Sequence, residues 1–600
     1  MRKPKKTVIA INSSEDLKEF LKSYKGNKKD LLLVCENYGA WGLARNLSLD
    51  CLPYVSFDND SKFKKFLNSI NKNTQEWLNE KNIAVSFRFE NENFASMFER
   101  RMISFVGRMI ANFEFLDKIQ KKYSVTKFLV FDSLDSSLVG TSAMHESLLA
   151  FSFEVFAKIN KIEVVRINKS YYPIYIRNWF QKILLVYKKK AEIAKYLFYK
   201  FLKTRKVDLQ VKILLVIPGS HVSAMIPLIK ELQRRGLGCL TIVHNLLLAE
   251  KILLLENEVN FTERSDLYKE ILAGAVDAKD KIKNKWKSKK NLFNFKLGKS
   301  NRSLFLNEVL KSKTESIINF ELEDIIRDYL AAKLIISRIN PVMVISTTDP
   351  DTRILPYLRA AQNANVKTLT IQHGAFAWLD SIDFVSDKML VWGNYYKHWF
   401  ESKLGKDPKR LVVTGSIFFD NFREKQKKPV GHKNNVILIL LTNYYLRQFE
   451  LEQELFRLIN SLLKFSKEIV VRTHPFQKVG VIDLLSSSAK NIVVENEKPL
   501  EEVVADADIV ITCDTTAGLE AVIMEKPVIY WPFYRQELLP FGKFNAAPVA
   551  RSADAIIKII KMGNESKNAK NFIKQLCFRL DGKSYMRAAQ SIISEIKLVD

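Results

Sequence analysis

From Val211 onward the chain alternates between short unbroken apolar runs and longer stretches in which apolar residues recur at helical spacing. The segment "VKILLVIPGSHVSAMIPLIKELQRRGLGCLTIVHN" sets the pattern: a buried strand, a Gly-Ser turn, a helix and a second strand. Met225, Leu228, Ile229 and Leu232 fall on one helical face, and Pro227 is tolerated in the first turn. Arg234-Arg235-Gly236 reads as a basic last turn followed by a C-cap glycine. This is a βαβ unit that starts a parallel sheet. The pattern recurs in "PVMVIST", "DTRILPYLRAAQNA" and "VKTLTIQHG". Two further short strands, "DKMLVWG" and "RLVVTGS", flank an amphipathic helix around Tyr396 to Leu404. After a polar, basic connector at Lys425 to Asn435, "NVILILLTN", "EIVVRTHP", "NIVVEN", "ADIVITC" and "KPVIYWP" are strands alternating with helical segments. Two successive doubly wound sheets follow from this reading.

The first 165 residues have the same texture, with "TVIAI", "DLLLVC", "KFLVFD" and "IEVVRI" as strands. The segment from Phe128 to Ile167 shares a strand, polar turn, helix, strand layout with Val342 to Gln372, which fits either a degenerate repeat or generic βαβ periodicity. The expected organisation is α/β throughout. An N-terminal α/β domain occupies 1–168 and a basic amphipathic helical linker 169–210. Two tandem Rossmann-like domains then span 211–425 and 426–600. The linker stretch Arg177 to Lys206 carries ten Lys or Arg against one Glu, interleaved with Trp, Tyr, Phe and Leu. Such a helix suits an anionic membrane surface, or equally a linker with a solvated basic face. A second basic patch, "KDKIKNKWKSKKNLFNFKLGK" around Trp286, reads as a loop.

Composition narrows the function classes. The 600 residues exceed what one core serves, and 47% hydrophobic with 27% charged residues is ordinary globular protein. Five cysteines without paired or metal-ligand spacing argue against a disulfide framework and suit a reducing compartment. The opening "MRKPKKTVIAINSSED" is too short in its apolar part for a signal peptide, and no window reaches a membrane span, so a cytoplasmic location is expected. The net charge of +28 asks for an anionic partner. No helix-turn-helix, zinc-finger or RNA-recognition signature is present, so nucleic acid is not expected.

Candidate chemistry lies where strands end, because ligands gather outside the carboxyl ends of parallel strands. Gly219-Ser220-His221 follows the first strand of one domain, and Gln372-His373-Gly374 a later strand of the same domain. In the last domain Arg472-Thr473-His474 ends one strand and Asp514-Thr515-Thr516-Ala517-Gly518 another. His373 has the pKa range of a general base. Thr515 and Thr516 open a helix whose N–H groups suit a phosphate, although they also fit simple N-capping. Glu520, one turn in, is placed for a ribose hydroxyl.

Taken together, "QHG", "VVTGSIFFD", "VVRTHP" and "DIVITCDTTAGLEAVIMEKPVI" resemble the GT-B glycosyltransferases of the bacterial surface-polysaccharide group, over roughly Val211 to Asp600. That group includes capsule, Kdo and polysialyl transferases and the CDP-glycerol glycerophosphotransferases. The resemblance implies a sugar transferase that uses a nucleotide sugar as substrate rather than a cofactor, with a growing surface polysaccharide or lipid-linked glycan as acceptor. It implies His373 as catalytic base and His474, with Arg472, Thr515 and Thr516, at the donor phosphate. It further implies Glu520 near the ribose and Gly415-Ser416 as the turn closing the first domain over the cleft. Gly219, Ser220, Gln372 and Gly374 line that cleft, while His221 and His398 are left as structural or rim residues, and His145 lies outside the resemblance and is given no role. One departure stands out: the glycerophosphotransferases follow His-Gly with Thr-Pro, where this chain has Ala375-Phe376, which favours sugar transfer.

Asp58-Asn59-Asp60, Asp349-Pro350-Asp351 and Asp506-Ala507-Asp508 spell the D-x-D of metal-dependent single-domain transferases, but their positions read as turn or helix-start chemistry. A metal-independent, inverting enzyme at the inner membrane face is therefore expected. Rival readings are an epimerase of the UDP-N-acetylglucosamine type, a glycerophosphotransferase, and a non-catalytic glycan-binding protein on the same fold.

Overall fold

The computed structural model describes residues 3–54, 74–79, 81–90, 92–131, 148–167, 211–244, 252–253, 266–289, 300–349, 351–375, 384–420, 435–442, 448–474, 491–532, 539–563 and 568–597. The basic segment Arg177 to Lys206 and the aspartates at 58 and 60 lie outside them, as does His145.

The chain builds three parallel sheets in succession, the α/β architecture expected. The first comprises β1 (Lys5–Ile11), β2 (Leu31–Cys35), β3 (Cys51–Pro53), β6 (Ser124–Phe131) and β7 (Glu163–Ile167) in the order β3-β2-β1-β6-β7. A small separate hairpin, β4 (Arg88–Phe89) with β5 (Glu92–Asn93), interrupts it in sequence.

The second sheet contains β8 (Val211–Pro218), β9 (Gly238–His244), β10 (Ile252–Leu253), β11 (Met343–Ser346), β12 (Lys367–Ile371), β13 (Lys388–Val391) and β14 (Leu411–Val413). Their order is β10-β9-β8-β11-β12-β13-β14, and only the two-residue β10 is antiparallel. The third holds β15 (Val436–Leu440), β16 (Glu468–Arg472), β17 (Ile492–Val494), β18 (Ile509–Thr512) and β19 (Val528–Tyr530), ordered β17-β16-β15-β18-β19. In each sheet the first strand in sequence is internal, the next strand pairs on one side, and a later strand crosses over to the other. That crossover is the topological switch point of a doubly wound fold. The two layouts that looked alike in sequence, β6-helix-β7 and β11-helix-β12, occupy equivalent places beyond the switch in their sheets. The second and third sheets form a tandem Rossmann-like pair, and the first sheet is the additional α/β unit before them.

The three units share cores. A hydrophobic cluster joins Phe94, Phe98, Met109 and Phe156 of the first unit to Phe305, Ile326, Tyr329 and Ile335 on helices of the second. The basic segment around Trp286, read as a loop, belongs up to Lys289 to the helix Asp266–Lys289. Ile271, Ala275, Ala278, Ile282 and Trp286 recur at three- and four-residue intervals and are all buried, a stripe hidden among lysines in the sequence. Phe87 meets Trp286 edge to face. The helices Ser300–Ser316 and Leu322–Ile339 complete this layer.

The second and third units share another cluster, in which Trp392, Tyr396, Phe400 and Phe419 pack with Leu438, Val510, Phe541 and Phe572. At Gly393 a Cβ atom would lie 2.3 Å from the carbonyl oxygen of Gln575, so only glycine allows the two units to approach this closely. The chain finally crosses back: helix Ser584–Lys597 places Ala588, Ala589, Ile592 and Ile596 against Ile213, Met225 and Leu228 of the second unit. Asp420 accepts from the backbone N–H groups of Ser584 (3.1 Å) and Tyr585 (3.0 Å), satisfying donors at the start of that helix. The first unit also reaches the third. Glu452, fully buried, accepts from the Tyr38 N–H at 2.8 Å, and the Tyr38 ring packs on Phe449 and Phe456. Among the described residues no helix is long and apolar enough to cross a membrane.

Candidate active site

Strands β8, β11 and β12 pair in register, Ile213 with Met343 and Met343 with Lys367, so their carboxyl ends stand side by side. The loops leaving them carry His221, Thr347 and His373. His373 Nδ1 lies 2.6 Å from the Thr347 carbonyl oxygen. A carbonyl oxygen only accepts, so this contact fixes the Nδ1–H tautomer and puts the ring's basic lone pair on Nε2. Gln372, buried completely, anchors the loop behind it. Its Oε1 accepts from Trp392 N (2.9 Å), its carbonyl from Trp392 Nε1 (2.7 Å), and its Nε2 donates to Gly374 O (2.9 Å). Gln372 is therefore spent on positioning the histidine.

His221, left aside in the sequence as a rim residue, stands beside His373 instead. The ring centroids are 4.8 Å apart with planes 33° from parallel. Its Nδ1 is 2.7 Å from the Thr347 hydroxyl, and Phe418 meets it edge-on. Burial, and then the neighbouring His373, push its pKa down to about 3, with Asp351 opposing weakly. The ring is neutral across the physiological range. The available signal was its place directly after the first strand of the sheet, at the switch between β8 and β11. Gly219 and Ser220 form a short 3₁₀ turn with it. His398 is exposed on helix Asn394–Leu404 and takes no part.

Across the cleft, Asp514 and Thr515 follow β18 at the switch point of the third sheet, where the helix Thr516–Ile523 begins. Thr515 is the N-cap and accepts from Ala517 N at 3.4 Å. Thr516 Oγ1 accepts from the N–H of Ala375 at 3.1 Å, so the histidine loop of one unit touches the helix start of the other. Both contacts use the hydroxyls as acceptors, which leaves each O–H proton to donate to an anion. The helix start adds N–H groups and a favourable dipole. Asp514 accepts from the Tyr530 hydroxyl.

Arg472 ends β16 and is partly spent, donating through Nη1 to the carbonyl oxygen of Lys498 at 2.7 Å. His474 follows it at the edge of the described residues. Glu520 is partly buried; loss of water, with Glu501 nearby, pushes its carboxyl up to about 8 against the pull of Arg472. At neutral pH it is largely protonated and able to donate to an oxygen. Gly415 sits at φ +88°, and a Cβ there would lie 2.5 Å from Ser584 Oγ and 2.9 Å from Arg587 Nη2, so the Gly415-Ser416 turn is pinned under the returning C-terminal helix. Arg587 Nε also donates to the Thr414 carbonyl at 2.7 Å. The Ser416 hydroxyl is fully buried and has no hydrogen-bond partner among the described residues.

Three of the aspartates in the D-x-D pairs bond to the chain itself. Asp349 accepts from Val385 N (2.6 Å), Ser386 N and Ser386 Oγ (both 2.9 Å) and Ser346 Oγ (3.2 Å). Asp351 holds Arg353 through both carboxylate oxygens, and Asp508 accepts from Val436 N at 3.0 Å.

No protein-family model and no curated protein matches this chain. Among solved structures it is similar to UDP-GlcNAc 2-epimerase from Neisseria meningitidis, at TM-score 0.40 and 14% identity over 64% of this chain and 100% of that one. A glycosyltransferase from Rickettsia africae gives 0.38 and 15%, over 64% and 98%. The wall teichoic acid polymerase TagF gives 0.37 and 11%, over 70% and 97%. At this distance the likeness says nothing about the reaction.

Glu520 makes stability depend on pH. Its folded pKa lies above the ordinary 4.5, so between pH 4.5 and 8 the folded state holds a proton that the unfolded state has lost. Stability conferred by that proton falls as pH rises through this window. Glu520→Gln should therefore gain melting temperature relative to the wild type from pH 5 to pH 8, then level off. A difference that stays constant with pH would contradict the assignment.

Proposed function

We propose that the chain is a glycosyltransferase that moves a sugar from a nucleotide-sugar donor to a growing surface polysaccharide or lipid-linked glycan. One observation carries the reading. A histidine oriented for proton abstraction and a helix start with two hydroxyls meet across the cleft between two sheets, joined by the contact of Ala375 with Thr516. In this reading an acceptor hydroxyl gives its proton to His373 Nε2 as its oxygen attacks the anomeric carbon. The bond to the nucleotide phosphate breaks, and the departing phosphate gathers negative charge. Thr515, Thr516 and the helix N–H groups, with Arg472 and His474 along the same edge of the sheet, stabilise that charge. Glu520 donates to a ribose hydroxyl. Displacement from the side of the base inverts the anomeric centre and calls on no metal.

A thermal-shift panel of CMP, CDP, UDP and GDP, with and without EDTA, tests the donor half. One nucleotide at about 100 times its Kd should add roughly 2.7 kcal/mol to stability, insensitive to EDTA. Replacing both Thr515 and Thr516 by Ala should remove the shift. His373→Ala should keep the shift but lower kcat by about 10²–10⁴-fold, the usual worth of a general base. Normal turnover in that variant would remove His373 from the mechanism, and loss of the shift with EDTA would overturn the metal-free reading.

The same reading puts the protein on the inner face of the membrane. The support is the charge of Arg177 to Lys206, ten cationic residues less one anionic, or +9. Each lysine or arginine near an anionic surface contributes about 1 kcal/mol. The protein should co-sediment with phosphatidylserine vesicles at low salt and be released at high salt. A wild-type protein that ignores such vesicles at low salt rules the surface assignment out.

A further inference from the structure

Thr347 directly follows β11 and lies between two imidazoles, and its two contacts differ in kind. Its carbonyl oxygen accepts from His373 Nδ1, while its hydroxyl meets His221 Nδ1. Thr347 is fully buried, and His221 is the partner its hydroxyl has among the described residues. A buried hydroxyl proton needs an acceptor. The hydroxyl therefore donates to His221 Nδ1, and His221 carries its own proton on Nε2. One residue thus sets opposite tautomers on two stacked rings. Both Nδ1 atoms turn toward Thr347, and each Nε2 therefore lies on the far side of its own ring from that residue.

We propose that His221 is a second working imidazole of this cleft, whose Nε2–H donates to an acceptor oxygen adjacent to the hydroxyl that His373 deprotonates. The proposal rests on His373 being the base. The chemistry it selects is a vicinal diol, as on a sugar ring or a glycerol unit: one oxygen loses its proton to His373 and its neighbour is held by His221. Phe418, edge-on to the His221 ring, fixes its plane. The low pKa keeps the ring neutral, so it contributes a directed donor rather than a charge.

The full chain labelled with ¹⁵N-histidine contains seven histidines, and long-range proton–nitrogen correlation shows which ring nitrogen of each lacks a proton. Signals are assigned with His221→Gln and His373→Gln. The expected result is an unprotonated Nδ1 on His221 and an unprotonated Nε2 on His373. Thr347→Val keeps the carbonyl and removes the hydroxyl, so it should turn His221 into a mixture of tautomers and leave His373 unchanged. A wild-type His221 protonated on Nδ1 overturns the proposal.

The second arm measures nucleotide release from the nucleotide sugar of whichever base the shift panel selects, with glycerol-terminated and sugar-terminated acceptors. His221→Phe keeps a ring without a donor and should lose about 10- to 100-fold, the cost of one unmade buried hydrogen bond. His221→Gln, which can donate from nearly the same place, should recover most of the rate. Equal rates for the two variants overturn the donor role while leaving His373 as base. Wild-type turnover in His373→Ala sinks the base reading and the diol with it, whereas the tautomer pair is read independently of turnover.

Discussion

The cleft depends on one constraint: its strands are buried on both faces, so polar chemistry has room only where they stop. Ile213 to Val216, Met343 to Ile345 and Leu369 to Ile371 lose nearly all contact with water. An unpartnered polar side chain among them would cost several kcal/mol. Parallel pairing in register then brings three strand ends to one line, and the residues just beyond them, His221, Thr347 and His373, become neighbours although 152 positions separate the first from the last (373 less 221). The third sheet obeys the same rule, and Asp514 to Thr516 arrive at its switch point for the same reason. Two edges built this way meet at the contact between Ala375 and Thr516.

Around that contact the molecule is tied on several sides. The cluster of Trp392 and Tyr396 with Leu438 and Val510 forms a shared apolar core between the second and third units. The C-terminal helix returns to the second unit through Asp420 and Arg587. The first unit is packed broadly on the helices of the second, and it reaches the third through Tyr38, Trp41 and Glu452. It thereby links the two units that form the cleft. Aromatic pairs such as Tyr38 with Phe456 contribute roughly 0.5–1.5 kcal/mol each beyond their buried area.

Much of this was legible in the sequence because strands buried on both faces write themselves as unbroken apolar runs. The strands read from "VKILLVIP" through "KPVIYWP" appear as such, and so do the four read in the first unit. The helix bearing Trp286 was obscured because lysines crowd its solvent face and dilute the apolar stripe. The two-residue strand β10 is too short to leave a pattern. His221 was passed over because one histidine after a strand carries no periodic signal; only the pairing of β8 with β11 brings it to Thr347. Nor does local sequence reveal that the last helix crosses back, since that depends on Asp420, more than 160 residues earlier (584 less 420 is 164).

Hydrogen exchange, read peptide by peptide with and without the nucleotide that binds best, tests the cleft most directly. The account predicts added protection concentrated in two separate stretches, residues 372–375 after β12 and 512–523 from β18 into its helix. Protection confined to the first unit, or absent from both stretches while the nucleotide is bound, would contradict it.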